Sequence, residues 1–118
     1  MVKSYRELLV WQKAMETAQA VYQTTRGFPK EETYGLTSQM RRAAVSVPSN
    51  IAEGQGRMTR GEFIQFLGQA RGSLMELETQ VLLAQQLGFL TPQAAETLLS
   101  LTAETGRLLN GLISSLKN

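Results

Sequence analysis

From Phe63 to Leu87 an apolar residue returns every three or four positions: Phe63, Leu67, Ala70, Leu74, Leu77, Val81, Ala84 and Leu87. Spacing of that kind lines one face of a helix. Thr59-x-x-Glu62 forms a capping box at its start, and Gly88 is a left-handed cap at its end, with Phe89 placed to pack back. A helix from Thr59 to Leu87 would be roughly 40 Å long at about 1.5 Å per residue. The chain has 118 residues, enough for one domain and a modest core. A helix that long can bury its stripe only if other helices lie along it. The stripe keeps seven-residue spacing over most of its length, which suits the shallow crossings of a bundle. Gly61, Gly68 and Gly72 weaken its helical propensity. Gly68 and Gly72, four apart, make a smooth patch that reads as packing against another backbone.

Three more helices follow from the same reasoning. Ser4-x-x-Glu7 reads as a capping box opening the first. Leu8, Trp11, Met15, Ala18 and Tyr22 form its stripe, and Gly27 with Pro29 stops it. Trp11, the single tryptophan, reads as core, with a stacking platform as the alternative. Residues 28–35 read as a loop holding a helical turn. The second helix runs from about Leu36 to Glu53, with Leu36, Met40, Ala44, Val47, Ile51 and Gly54 as its stripe. Thr91-Pro92 starts the last helix, an N-cap followed by proline at the first helical position. That helix carries two stripes. Leu98, Leu101, Leu108 and Leu112 form one; Ala95, Leu99, Thr102, Gly106, Leu109 and Ile113 form the other. A second exposed apolar face calls for a partner, so Leu99, Leu109 and Ile113 are expected at a contact between copies of the chain. The expected fold is all-α, a single domain over 1–118 built as an antiparallel up-down-up-down four-helix bundle.

Composition removes most enzyme chemistry. The chain has no His and no Cys, and all ten of its acidic residues are Glu. Ser-His-Asp and Cys-His arrangements, zinc ligand sets and the Glu-x-x-His motif of di-iron bundles are therefore excluded. No enzymatic activity, metal or cofactor is expected. No apolar run reaches the roughly 18 residues of a membrane span. The opening stretch Met1-Val2-Lys3-Ser4-Tyr5-Arg6-Glu7 has no apolar leader core, which makes the cytoplasm the expected compartment.

Two clusters remain as candidate sites. In Ser46-Val47-Pro48-Ser49-Asn50-Ile51-Ala52-Glu53-Gly54 a helical stripe meets a proline and polar side chains. Pro48 should kink the helix or mark its restart. Ser46, Pro48, Asn50 and Glu53, with Glu76 from the third helix, read as a hydrogen-bonded joint between helices. A small-molecule site at Asn50, Glu53 and Glu76 is the other reading. The second cluster is basic. Between Thr37 and Gly72 lie Arg41, Arg42, Arg57, Arg60 and Arg71 against Glu53 and Glu62, five positive charges to two negative, a net +3. The same segment holds the glycine loop Gly54-Gln55-Gly56-Arg57-Met58 and a helix N-terminus, both favourable to phosphate. The loop lacks the Gly-Lys-Ser/Thr of a Walker motif. The arginines either contact a nucleic-acid backbone or are solvated or salt-bridged to Glu76 or Glu78.

Four segments carry a family resemblance. They are Leu9-Val10-Trp11-Gln12-Lys13-Ala14, Gln39-Met40-Arg41-Arg42-Ala43-Ala44, the Ser46–Gly54 run, and Gly72-Ser73-Leu74-Met75-Glu76-Leu77-Glu78-Thr79-Gln80. Together they resemble the four-helix-bundle proteins encoded in intervening sequences of bacterial 23S ribosomal RNA genes, over nearly the whole chain. That family is similar in turn to the accessory protein of diversity-generating retroelements. The resemblance implies a cytoplasmic helical protein assembled as a ring-like homopentamer. It also implies RNA or DNA binding through a basic surface or, as in the retroelement relative, a protein scaffold that binds a reverse transcriptase. It supplies no catalytic residues.

Overall fold

The computed structural model describes residues 3–118; Met1 and Val2, part of the stretch read for a leader, lie outside the described residues. Four α-helices make up the described chain: α1 Leu9–Thr25, α2 Leu36–Gln55, α3 Arg60–Gln86 and α4 Pro92–Lys117. No helix among them is long and apolar enough to cross a membrane. The molecule measures 43 × 24 × 19 Å, so α3 alone spans its long axis. Neighbouring helices run antiparallel, which the cross-contacts make plain: as residue numbers rise along one helix they fall along the other. Ser46 meets Ser73, while Gly54 lies against Phe63 and Phe66. Glu78 accepts from Thr102, while Leu74 lies beside Gly106. Val10 clusters with Leu109 and Ile113, while Val21 clusters with Ala95 and Leu98.

The long-helix signals of the sequence hold. Thr59 Oγ1 accepts from Glu62 N–H at 3.1 Å, and its hydroxyl donates to the Glu62 carboxylate at 3.0 Å. Past Gln86, Phe89 N–H donates to Ala84 O and Gly88 N–H to Gln85 O, with Gly88 at φ 80. This is the Schellman arrangement that absorbs the last carbonyls of a helix. Phe89 then packs on Phe28 with ring centroids 5.6 Å apart. Thr91 Oγ1 accepts from Ala94 N–H at 3.1 Å and opens α4.

Several expectations are corrected. Ser4 does not open α1; it caps a 3₁₀ turn at Tyr5–Glu7, and α1 begins at Leu9 with Leu8 extended before it. Pro48 neither ends nor restarts α2, which runs unbroken to Gln55. The proline removes the amide that Ala44 O would accept. In the same turn the Asn50 side chain supplies a donor to Ser46 O at 2.9 Å. Gly56 sits at φ −79, so the loop after α2 uses no left-handed glycine there.

Gly68 and Gly72 have no neighbour within 4 Å of an added Cβ, so they pack against nothing in this chain. Replacing both by Ala should therefore raise stability by about 1 kcal/mol each, the ordinary gain of alanine over glycine inside a helix. Urea denaturation of Gly68→Ala/Gly72→Ala tests this. A loss of stability would mean that another chain approaches this face closely.

The core divides into two apolar clusters. One gathers Val21, Met40, Leu77, Val81 and Leu98; the other gathers Val10, Ile51, Leu67, Leu74 and Leu109. Polar contacts mark the level between them. At α1/α4, Thr17 Oγ1 and Thr105 Oγ1 stand 3.1 Å apart, fully enclosed. Each hydroxyl also reaches a backbone carbonyl at 2.8 Å, Lys13 O and Leu101 O. Two protons serve three contacts, so only two are hydrogen bonds at any moment. At α2/α3 the matching contact is Ser46–Ser73, 2.8 Å. Such contacts favour one register of the helices, because sliding would leave buried hydroxyls without partners.

Candidate functional site

The first candidate, the joint, is smaller than the sequence implied. Ser46 Oγ, Ser73 Oγ and Asn50 Nδ2 form a connected set, with Asn50 donating to Ser46 Oγ at 3.0 Å. Pro48 is buried beside it on the α1 side of α2. Glu53 does not belong to it: it is exposed and accepts from Arg57 Nη2 one turn on, at 3.2 Å. Glu76 is also exposed and accepts from Gln80 Nε2 at 3.2 Å. Asn50, Glu53 and Glu76 therefore engage three different partners and do not converge on a ligand. Asn50 bonds back along α2 to Ser46, which meets α3, while Glu53, three residues on, lies exposed. Gln80 is 6% exposed and its Oε1 has no partner among the described residues, which makes it the one polar orphan near this face.

The second candidate, the arginine cluster, divides among the grooves of the bundle. Arg41 turns to α1, where its Nε donates to Thr25 Oγ1 at 2.9 Å, its Nη2 to Tyr22 O at 3.4 Å, and its guanidinium lies 4.6 Å from the Tyr22 ring centroid. Arg57 pairs with Glu53 and stacks on Phe66 at 4.6 Å. Arg42 lines the α2/α3 groove with Ser46, Ser73 and Glu76. Arg71 lines the α3/α4 groove with Arg107 and Asn110. Arg60 is exposed on the first turn of α3. Within one chain the five do not share a face. Successive helical positions differ by about 100°, so adjacent arginines such as Arg41 and Arg42 must diverge.

The proposed interface on α4 is corrected as well. Leu109 is 0% exposed and Ile113 9%, both packed in the chain's own core, and Leu99 is half-buried against the other cluster. Leu108 and Leu112 are partly buried against the same core. Both stripes fold inward because α4 packs against α1 on one side and α3 on the other.

What the sequence reading passed over lies between α1 and α2. The stripe read as the core of α1 is turned by about one residue, roughly 100° at 3.6 residues per turn. The residues that α1 buries are Val10, Ala14, Thr17, Ala18, Val21 and Thr25. Small side chains win the inner face because α1 sits close to both α2 and α4. Trp11, Met15 and Tyr22 are left at the seam, with Met15 36% and Tyr22 41% exposed. There they line an open groove of about 520 Å³ with Tyr5, Gln19 and Arg26, floored on the α2 side by Val45, Pro48 and Ala52. Tyr5 stands edge-on to Trp11, centroids 5.2 Å apart. A signal was present: Val10, Ala14, Thr17, Val21 and Thr25 are a second stripe at helical spacing, so α1 has two apolar faces.

One ionic contact ties α1 to α4. Lys13 Nζ meets Glu16 at 2.8 Å and Glu104 at 3.3 Å. Its pKa is raised above the ordinary 10.5, chiefly by the hydrogen bond to Glu16 and then by that to Glu104.

Fold and surface together define a small antiparallel four-helix bundle that offers grooves between its helices. The description 23S rRNA-intervening sequence protein fits residues 6–111, and the chain belongs to that family. Its fold is also that of a solved structure, at 1.70 Å, of a protein of unknown function from the S23 ribosomal protein family of Bacteroides thetaiotaomicron VPI-5482. The TM-score is 0.80 at 23% identity, over 89% of this chain and 98% of that one. No curated protein matches the chain.

Proposed function

We propose that this chain is a non-enzymatic, self-assembling cytoplasmic bundle that binds nucleic acid, RNA in the first place, through surface arginines. The observation that carries the proposal is that Arg42, Arg60 and Arg71 are exposed and make no ion pair among the described residues. Glu76 lines the groove of Arg42, and Glu78 that of Arg71, yet neither comes within ion-pair distance of an arginine. Unpaired arginines are available to phosphate, and assembly of several copies would multiply the contacts. A ring, a pentamer by family resemblance, would also bring arginines of different grooves onto a common surface.

Backbone contacts position without specifying, so binding should depend little on sequence and strongly on salt. Log affinity against log salt should fall with a slope of about −0.9 per phosphate neutralised on duplex and about −0.7 on single strands. Arg42→Ala/Arg60→Ala should make that slope shallower by about one or two units. Electrophoretic mobility shift with ribosomal RNA fragments at several salt concentrations, on protein whose mass is known from light scattering, measures it. Equal slopes for the natural and altered proteins would remove these arginines from the interface.

A protein-scaffold reading, with a partner such as a reverse transcriptase, is favoured by a different observation. The C-terminal part of α3 exposes Met75, Leu82 and Leu83 at 56, 45 and 44%, and its C-cap Leu87 is 53% exposed. These now replace the α4 residues as the apolar surface available to another chain.

A further inference from the structure

Among the side chains that line the groove between α1 and α2, one is charged, and it is positive. That one is Arg26; no carboxylate lines the groove. Arg41 lies over Tyr22 at 4.6 Å and Arg6 over Tyr5 at 5.8 Å. Arg41 is held in place by Thr25 and Tyr22 O, yet two hydrogen bonds leave part of a guanidinium's five donors free. Along the groove three aromatic rings, Tyr5, Trp11 and Tyr22, are spaced by Met15 and Ala18, with Gln19, Gln23 and Ser49 as hydrogen-bonding groups. Flat apolar rings, amide groups and cations in one trough match one chemistry: a planar heterocycle carrying an anion.

We propose that this groove takes unpaired nucleotides of a single-stranded nucleic acid, with bases against Trp11 and Tyr22 and phosphates toward Arg26 and Arg41. The proposal rests on the nucleic-acid reading above and adds to it where the strand lies and why it must be single. Bases in a duplex are stacked on one another and offer no free face, whereas an unpaired base can stack on an aromatic side chain. The stacking is tolerant of sequence because every base has a π-face. An apolar helix laid in the same trough would give Arg26 no counter-charge, whereas a phosphate would pair with it. The charge on this face therefore selects an anionic occupant over an apolar one.

Trp11 is the single tryptophan of the chain, so a fluorescence change on binding is read at one residue that lines the groove. The full chain is titrated with an oligouridylate of about ten nucleotides, within the length one binding module covers, and with a duplex of equal length. The single strand should quench Trp11 and the duplex should not. Tyr22→Ala should weaken single-strand binding about 5- to 150-fold, the range set by one lost base–aromatic stack, and leave duplex binding unchanged. Arg26→Gln, at an exposed position, should lower the single-strand salt slope by about 0.7. Circular dichroism of both variants checks that they are folded. Binding of both probes without quenching, and unchanged in Tyr22→Ala, would overturn the groove as the site and leave the arginine reading standing. Binding of neither probe at low salt would overturn both. Trp11 emission that shifts with protein concentration in the absence of oligonucleotide, and no longer does so in Val45→Glu, would make the groove a contact between copies and overturn the proposal.

Discussion

Leu109→Glu is expected to leave the chain unfolded at room temperature, not to dissociate a folded subunit from an assembly. Leu109 is 0% exposed and sits in the cluster of Val10, Ile51, Leu67 and Leu74. Truncating such a leucine costs about 2–5 kcal/mol, which is the expectation for Leu109→Ala. The glutamate adds a carboxylate with no partner, several kcal/mol more. Against a total stability of about 5–15 kcal/mol for a domain of ordinary size, the sum leaves little or nothing. Far-UV circular dichroism and urea denaturation measure it. A Leu109→Glu chain with native helicity, an ordinary melt and a smaller mass by light scattering would show that this stripe faces a partner after all.

The second large effect is expected at Gly54. An added Cβ would stand 2.7 Å from Phe66 Cβ, 3.0 Å from Phe63 Cδ1 and 3.3 Å from Phe63 O. The Phe63 ring can swing away. Its carbonyl and the Phe66 Cβ are fixed by the backbone of α3, so relief requires the two helices to part. Gly54→Ala gains about 1 kcal/mol of helix propensity, which partly offsets the clash. Gly54→Val gains less and brings two more methyl groups, so it should cost about 3 kcal/mol, at the upper end of overpacking effects. The melting temperature should fall by about 4 °C per kcal/mol for a chain of this size. A Gly54→Val chain as stable as the natural one would mean that α2 and α3 are not this close. The contrast with Gly68 and Gly72 is one of neighbours, not of residue type, since all three glycines lie inside helices.

Arg41 and Trp11 show how far site residues could be read in advance. Arg41 is half-buried and committed to the C-terminal end of α1, a role that its neighbour Arg42 does not share. Nothing in the dipeptide separates the two, because the difference lies in which helix stands on each side of α2. Trp11 reads as core on spacing alone, and it does pack partly buried against the core, but the stripe through Val10, Ala14 and Val21 is the one that turned fully inward. Two apolar faces on one helix pose a choice that periodicity cannot settle. The same doubling on α4 had the opposite outcome, for there α1 and α3 cover both faces.

What the sequence by itself determined rests on near neighbours along the chain, though Ser4 with Glu7 marked a 3₁₀ turn and not the start of α1. Thr59 with Glu62, Thr91 with Pro92, and Gly88 with Phe89 place the helix ends, because caps act over one turn. The apolar spacing of α3 sets a long helix and with it a bundle. The lack of His, Cys and Asp removes whole classes of chemistry before any fold is known. Only the tertiary structure decided the rotation of each helix about its axis, and through it which residues are core, which are joint and which line a groove. That rotation is a competition between faces of similar hydrophobicity, and it is settled by the size of the side chains that must fit between helices. Ala14, Thr17 and Ala18 let α1 approach its neighbours, and at the seam Trp11 was left partly buried against the core and Tyr22 exposed.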